Sequence, residues 1–434
     1  MTDLVINDCV VLHGPELEPH RCNRFAVTDG LITNITLGER CNRLDDGAVV
    51  IIPGLYNSHT HVGDSVAPDG TTGMTLEEGF FRPAGYKYRT LAAQSEETHL
   101  AAIADHLRYM AGTGTIGHID FREQGVYGVQ LLRRASAASG VHSIILGQFD
   151  ELPFTQQQLD KNEAELPLAA IEELMAVLDV ADGFSESTMN DLTDAAWAQI
   201  ADLAQHRNKL RAIHVLENDG YRSSSMVMSG RGDLARALDL LKPHLLIHAT
   251  VANAAEIAMM SAHCCNVAIN PRANANLGLP LPPIAALMQS NVNLLLGTDN
   301  GLLNSPNMFA ELDYTYRLAK SQFGDARLPD PLAILKMATC NISKLLGPDI
   351  PGYLAEGLPA DFVLLDFRAP HLKRSQHIAA SIVSRVTPAD VLATVRRGRV
   401  LWQANDALRQ FKFGKKVFIT KFKQQSAGNL LTPA

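Results

Sequence analysis

Past residue 50 the chain alternates short apolar runs with longer stretches of helical periodicity, and this alternation constrains the fold more than any other feature. The runs, rich in Ile, Leu and Val, lie near 49–52, 115–120, 142–148, 178–184, 210–215, 245–249, 266–270 and 292–298. Each is too short for a helix, and a continuous apolar run reads as a strand covered on both faces. Between them, 95–112, 162–180, 191–206 and 233–241 carry helix-length periodicity. Eight βα units predict a (β/α)8 TIM-like barrel, whose chemistry gathers at the C-terminal ends of the strands. The first 50 residues read as strands punctuated by Gly, Asn and Asp. After a helical stretch at 331–346, strands return near 360–366, 391–397 and 400–403. The expected class is α/β, with the barrel over 51–354 and a small composite β-sandwich domain built from residues 1–50 with 355–434.

Composition removes several functional classes. Of 434 residues, 46% are hydrophobic and 19% charged, enough apolar mass for a large core. The net charge of −8 argues against nucleic acid as a partner. No run approaches the roughly 20 apolar residues of a membrane span, and the N-terminal segment lacks the pattern of a secretory signal. Six cysteines without CxxC spacing suggest reduced thiols and a cytoplasmic location. The lysines Lys412, Lys415, Lys416, Lys421 and Lys423 read as a solvated basic face.

The sharpest local signal is His59-Thr60-His61, at the end of the first apolar run of the barrel. Residues at i and i+2 of a strand share a face, so both imidazoles can reach one metal. Further candidates close later strands: His214 the fifth, His248 the sixth and Asp299 the eighth. Imidazoles plus one carboxylate at a barrel mouth suit Zn²⁺ or Fe²⁺ better than Mg²⁺ or Ca²⁺. Glu217 follows His214 by three residues and is placed to move protons between a metal-bound water and a leaving group. Candidate substrate contacts on loops near strand ends are Arg272, Arg82 and Arg122, with Tyr86, Lys87 and Glu123 beside them.

These residues resemble the amidohydrolase superfamily: Pro53-Gly54-Leu55 leading into the HxH pair, then His214, His248 and Gly297-Thr298-Asp299. The His214-to-Glu217 step and Asn270-Pro271-Arg272-Ala273-Asn274 are similar to the branch holding S-adenosylhomocysteine and methylthioadenosine deaminases, guanine deaminases and triazine chlorohydrolases. The likeness extends to 337–341 and 357–361. It implies one divalent metal held by His59, His61, His214 and Asp299, with Glu217, His248 and Asp299 catalytic. In that scheme His248 orients the water or polarises the reacting bond, and Asp299 doubles as base. Binuclear relatives use a carboxylated lysine after the fourth strand; 180–187 has none, which favours one metal. Glu151, just past the third strand, parallels the glutamate ligand of acetylglucosamine-6-phosphate deacetylases and is an alternative ligand. The expected activity is hydrolysis of a C–N bond in a small molecule. The foremost form is a deaminase releasing ammonia from a purine-, pterin- or pyrimidine-like ring. Hydrolysis of an amide, amidine or halogenated ring is the alternative, and a metal-free scaffold the contrasting class. A homodimer is the commonest closed assembly for such a chain.

Overall fold

The computed structural model describes residues 4–404, so the basic lysines at 412–423 lie outside the described residues. The chain opens with a long hairpin. β1 (Leu4–His13) and β2 (Glu18–Thr28) pair antiparallel in a single register, from Leu4↔Val27 to His13↔Glu18. β3 (Leu31–Arg40) adds to β2, and β4 (Val49–Pro53) runs parallel to β1. Here the sequence reading needs correcting, because the apolar run at 49–52 is not the first barrel strand. It is covered on both faces, so it is as uniformly apolar as a barrel strand and cannot be told from one by composition.

The handover to the barrel falls at Gly54. Its N–H donates to Asp361 O in the terminal sheet at 3.0 Å, while the next N–H, of Leu55, donates to Gly114 O beside the barrel. A Cβ at Gly54 would stand 2.5 Å from Ile116 Cδ1, so only glycine fits the crossing. The barrel strands are β5 (Leu55–His61), β6 (Thr115–Arg122), β7 (His142–Gly147), β8 (Gly183–Glu186), β9 (Leu210–Val215), β10 (Leu245–His248), β11 (Asn266–Ile269) and β12 (Asn293–Leu296). Each is parallel to the next. The two-residue β13 (Asp299–Asn300) continues the eighth strand beyond Gly297-Thr298 and closes the ring by pairing with β5, Asp299↔Thr60 and Asn300↔His61. The fourth strand is shorter than its apolar run suggests. Leu178 belongs to the helix Leu168–Val180, where Ala170, Leu174, Val177 and Leu178 form the buried stripe.

After the barrel the chain rejoins the first sheet as β14 (Phe362–Asp366), β15 (Val391–Arg396) and β16 (Arg399–Gln403), giving the order β16-β15-β14-β4-β1-β2-β3. β2 and β14 are three strand spacings apart, about 14 Å in a flat sheet. The rings of Phe25 and Phe362 nonetheless meet edge-on at 5.2 Å. The sheet therefore curls over its own core of Ile6, Val11, Phe25, Ile51, Phe362 and Val395, as a sandwich does. Its opposite face, with Val10, Val50, Ile52 and Val363, joins the large core formed around the barrel helices. A third cluster, including Ile119, Phe121, Leu146, Ile247 and Leu295, fills the barrel interior.

Candidate metal centre

Strand alternation places the HxH pair. Thr60 turns outward, where its hydroxyl meets His118 Nδ1 and Asp120 Oδ2, each at 2.8 Å. His59 and His61 then face the barrel axis with ring centroids 4.9 Å apart. His214, from β9, lies 5.0 Å from the His59 ring and 5.6 Å from that of His61. Phe121 forms an apolar floor, 4.5 Å from His59 and 5.0 Å from His214. Asp299 Oδ1 stands 3.1 Å from His59 Nε2 and 3.7 Å from His61 Nε2.

The ligand atoms of His59, His61 and His214 lie within 4.8 Å of one another, and so do those of His59, His248 and Asp299. All five side chains are buried. The donor set fits a divalent metal. Burial, reinforced by the neighbouring imidazoles, holds His59 and His214 well below the usual histidine range, so both are neutral as a ligand must be. Two of the rings are also held from behind. His61 Nδ1 donates to Glu123 Oε1 at 2.7 Å, and His214 Nδ1 donates to the Glu186 carbonyl at 3.1 Å, which leaves each Nε2 for a metal.

Backbone geometry delivers the remaining groups. Leu216, at φ +54°, breaks β9, and its N–H is held by Asp233 Oδ2 at 2.7 Å, so that Glu217 turns back over the mouth. Glu217 Oε1 reaches within 3.7 Å of His248 Nε2. Burial, followed by the charge of Asp299, pushes the Glu217 carboxyl up to about 8. His248 is lowered to about 3, chiefly by burial. With the amide nitrogens of Asn270 and Asn274 facing its Nδ1 at 3.3 and 3.5 Å, the ring proton falls on Nε2, on the Glu217 side.

The sequence-derived arginines are placed differently from the expectation. Arg122 is fully buried outside the cavity, donating to Gly128 O, Glu123 Oε2 and Gln124 Oε1; it supports the site and touches no open space. Arg272 turns to Glu311 and Ser305 O. Arg82 packs behind the cavity wall against Tyr88, Glu186 and Gln148. Tyr86 does not line the cavity, whereas Lys87 does. Glu151 is exposed and lies outside the histidine cluster, which removes it as a ligand. The cavity, of about 40 Å³, is walled by Leu76, Phe80, Tyr88, Tyr221 and Leu277, none anticipated from sequence. Tyr221 was the most findable: it lies four residues beyond Glu217 in a helix capped by Asn218.

A parallel-stranded barrel with a buried imidazole–carboxylate cluster at the C-terminal mouth is the architecture of a metal-dependent hydrolase. The sequence profile of the amidohydrolase family matches residues 50–401, and the chain belongs to that family of hydrolases acting on C–N bonds. A protein of Methanothermobacter thermautotrophicus provisionally named an aminohydrolase is 34% identical over 92% of this chain and 100% of its own length. The 5-methylthioadenosine/S-adenosylhomocysteine deaminase of Syntrophobacter fumaroxidans is 23% identical over 92% of each. Among solved structures, an adenosine deaminase from Xanthomonas campestris with bound zinc superposes with a TM-score of 0.77, at 19% identity and 92% coverage of both chains. Among the described residues no helix is long and apolar enough to cross a membrane.

Proposed function

We propose that the chain is a deaminase holding one divalent metal through His59, His61, His214 and Asp299, and releasing ammonia from an aminated heterocycle. The observation that carries this reading is the juxtaposition of that ligand cluster with a buried Glu217 that faces His248 and whose carboxyl is pushed up by burial. A metal bound there supplies Lewis-acid activation of water. Asp299 is positioned to take the proton that the water gives up. Glu217, neutral below about pH 8, donates its proton to a ring nitrogen and thereby draws electrons away from the carbon under attack. Asp299 then passes the proton it took to the departing amine as the C–N bond breaks, and the added hydroxyl returns a proton to Glu217 as the carbonyl forms. His248, with its proton on Nε2, donates a hydrogen bond to the incoming oxygen. Three imidazoles and a carboxylate suit Zn²⁺ and Fe²⁺ alike, and the zinc of the Xanthomonas relative makes zinc the first metal to load. The substrate class follows the deaminase names of the relatives, and the unpaired state of all six cysteines supports a reducing compartment.

The test is a screen of aminated purines, pterins, pyrimidines and triazines with the zinc-loaded protein, read by coupled ammonia detection. Ammonia release from any of them supports the reading. A carboxylate or halide product in its place moves the chain to amide, amidine or haloring hydrolysis. His59→Ala, His61→Ala and His214→Ala should each lose metal and turnover together while remaining folded, by metal analysis and circular dichroism.

A further inference from the structure

Glu123 lies directly beyond β6, 1% exposed, with both carboxylate oxygens engaged. Oε1 accepts from His61 Nδ1 at 2.7 Å and also from Lys87 Nζ; Oε2 accepts from Arg122 Nη1 at 3.2 Å. Lys87 Nζ is 3.1 Å from His61 Nδ1, so the two donors meet on one oxygen. Lys87 reaches this point from the helix Tyr86–Ala92, which covers the barrel mouth, and Asp64 Oδ2 lies 3.8 Å from its ammonium. Arg122 is fixed by Gly128 O and Gln124 Oε1 and crosses Gly63, where a Cβ would stand 1.5 Å from Nη1.

A carboxylate this deeply desolvated stays ionised only when it is paired. Two cations do that here, and the oxygen shared with Lys87 is aimed at an imidazole. An ionised acceptor at Nδ1 fixes the ring proton there and leaves the Nε2 lone pair free. The other two imidazoles of the cluster have weaker backing. His214 has a backbone carbonyl, and His59 Nδ1 has no hydrogen-bond partner among the described residues. We infer that Glu123 and Lys87 are positioning residues for the metal: the lysine-paired carboxylate locks His61 as its Nδ1–H tautomer and makes it the strongest donor of the set. This rests on the proposal that His61 is a ligand.

The test uses full-length protein stripped of metal, titrated with Zn²⁺ against a chromophoric chelator, together with ¹⁵N spectra of the metal-free protein labelled at histidine. Glu123→Gln should weaken Zn²⁺ binding about 10–100-fold. Lys87→Met should weaken it in the same direction, and Lys87→Arg should restore most of the affinity. The spectra should show His61 as the Nδ1–H tautomer in the parent and as a mixture in both weakened variants. Glu123→Asp, which keeps the charge but withdraws it, carries the same expectation if Glu123→Gln does not accumulate. Zn²⁺ affinity within about twofold of the parent overturns the inference, and so does weakened binding with an unchanged tautomer. His61→Ala separates the two readings. If it binds Zn²⁺ as the parent does, the ligand set itself fails; if it loses Zn²⁺ while Glu123→Gln keeps it, only the positioning role fails.

Discussion

Four non-glycine residues at the barrel mouth adopt the left-handed region: Leu216 at φ +54°, His248 at +76°, Ala249 at +51° and Asp299 at +65°. Such conformations persist only where the surroundings over-determine them, and here each adjoins or carries a candidate catalytic group. The turn at Leu216 makes Glu217 a buried acid instead of a loop carboxylate. Glu217→Gln keeps the size but removes the proton. Turnover should fall roughly 10²–10⁴-fold, with metal content and substrate affinity nearly unchanged in steady-state kinetics and metal analysis. A variant that loses its metal would make Glu217 a ligand instead. The raised carboxyl also sets a sign for pH. Glu217 is a competent donor while protonated, so kcat should hold through neutrality and fall as pH rises through about 8. A flat profile across that range would detach Glu217 from the rate-limiting proton transfer.

At the scale of elements, the handover at Gly54 and the covering segment decide most. Gly54→Ala forces a methyl onto Ile116, and overpacking of this kind costs about 1–3 kcal/mol. The denaturation midpoint should drop accordingly; an unchanged midpoint would mean that Ile116 moves aside freely. The covering helices Leu76–Phe80 and Tyr86–Ala92 leave a cavity of only about 40 Å³, against roughly 300–1,000 Å³ for sites that enclose drug-sized ligands. Legibility in the sequence followed the same division. The HxH pair, His214, His248 and Asp299 could be read because strand periodicity fixes their facing and the barrel fixes where strand ends meet. Strand β4 was misplaced because two-sided burial erases the difference between a sheet wrapped in helices and one wrapped by itself. Arg122 was misread as a loop-borne substrate contact because no spacing pattern marks the local partners Glu123, Gln124 and Gly128 that hold its guanidinium, and Leu76, Phe80 and Tyr88 were missed because helices of five and seven residues are too short to display a period.

For the whole molecule, the terminal sheet is not an appendage. Val10, Val50, Ile52 and Val363 pack in the same core as Ile103, Leu107 and Met110 of the helix Glu96–Gly112. Two units sharing one core should melt together, so calorimetry of the metal-free protein should give a single endotherm with matching calorimetric and van't Hoff enthalpies. Two separated transitions would show that the sheet is held independently. The ring itself is sealed by β13, whose first residue is Asp299, paired to the strand that carries His59 and His61. The last seam of the barrel thus brings the carboxylate to the imidazoles. A chain with seven strands assembled would have the histidines but not the carboxylate proposed as their fellow ligand. On the proposed ligand set, a bound ion would span that seam and act as a clasp between the first strand and the last.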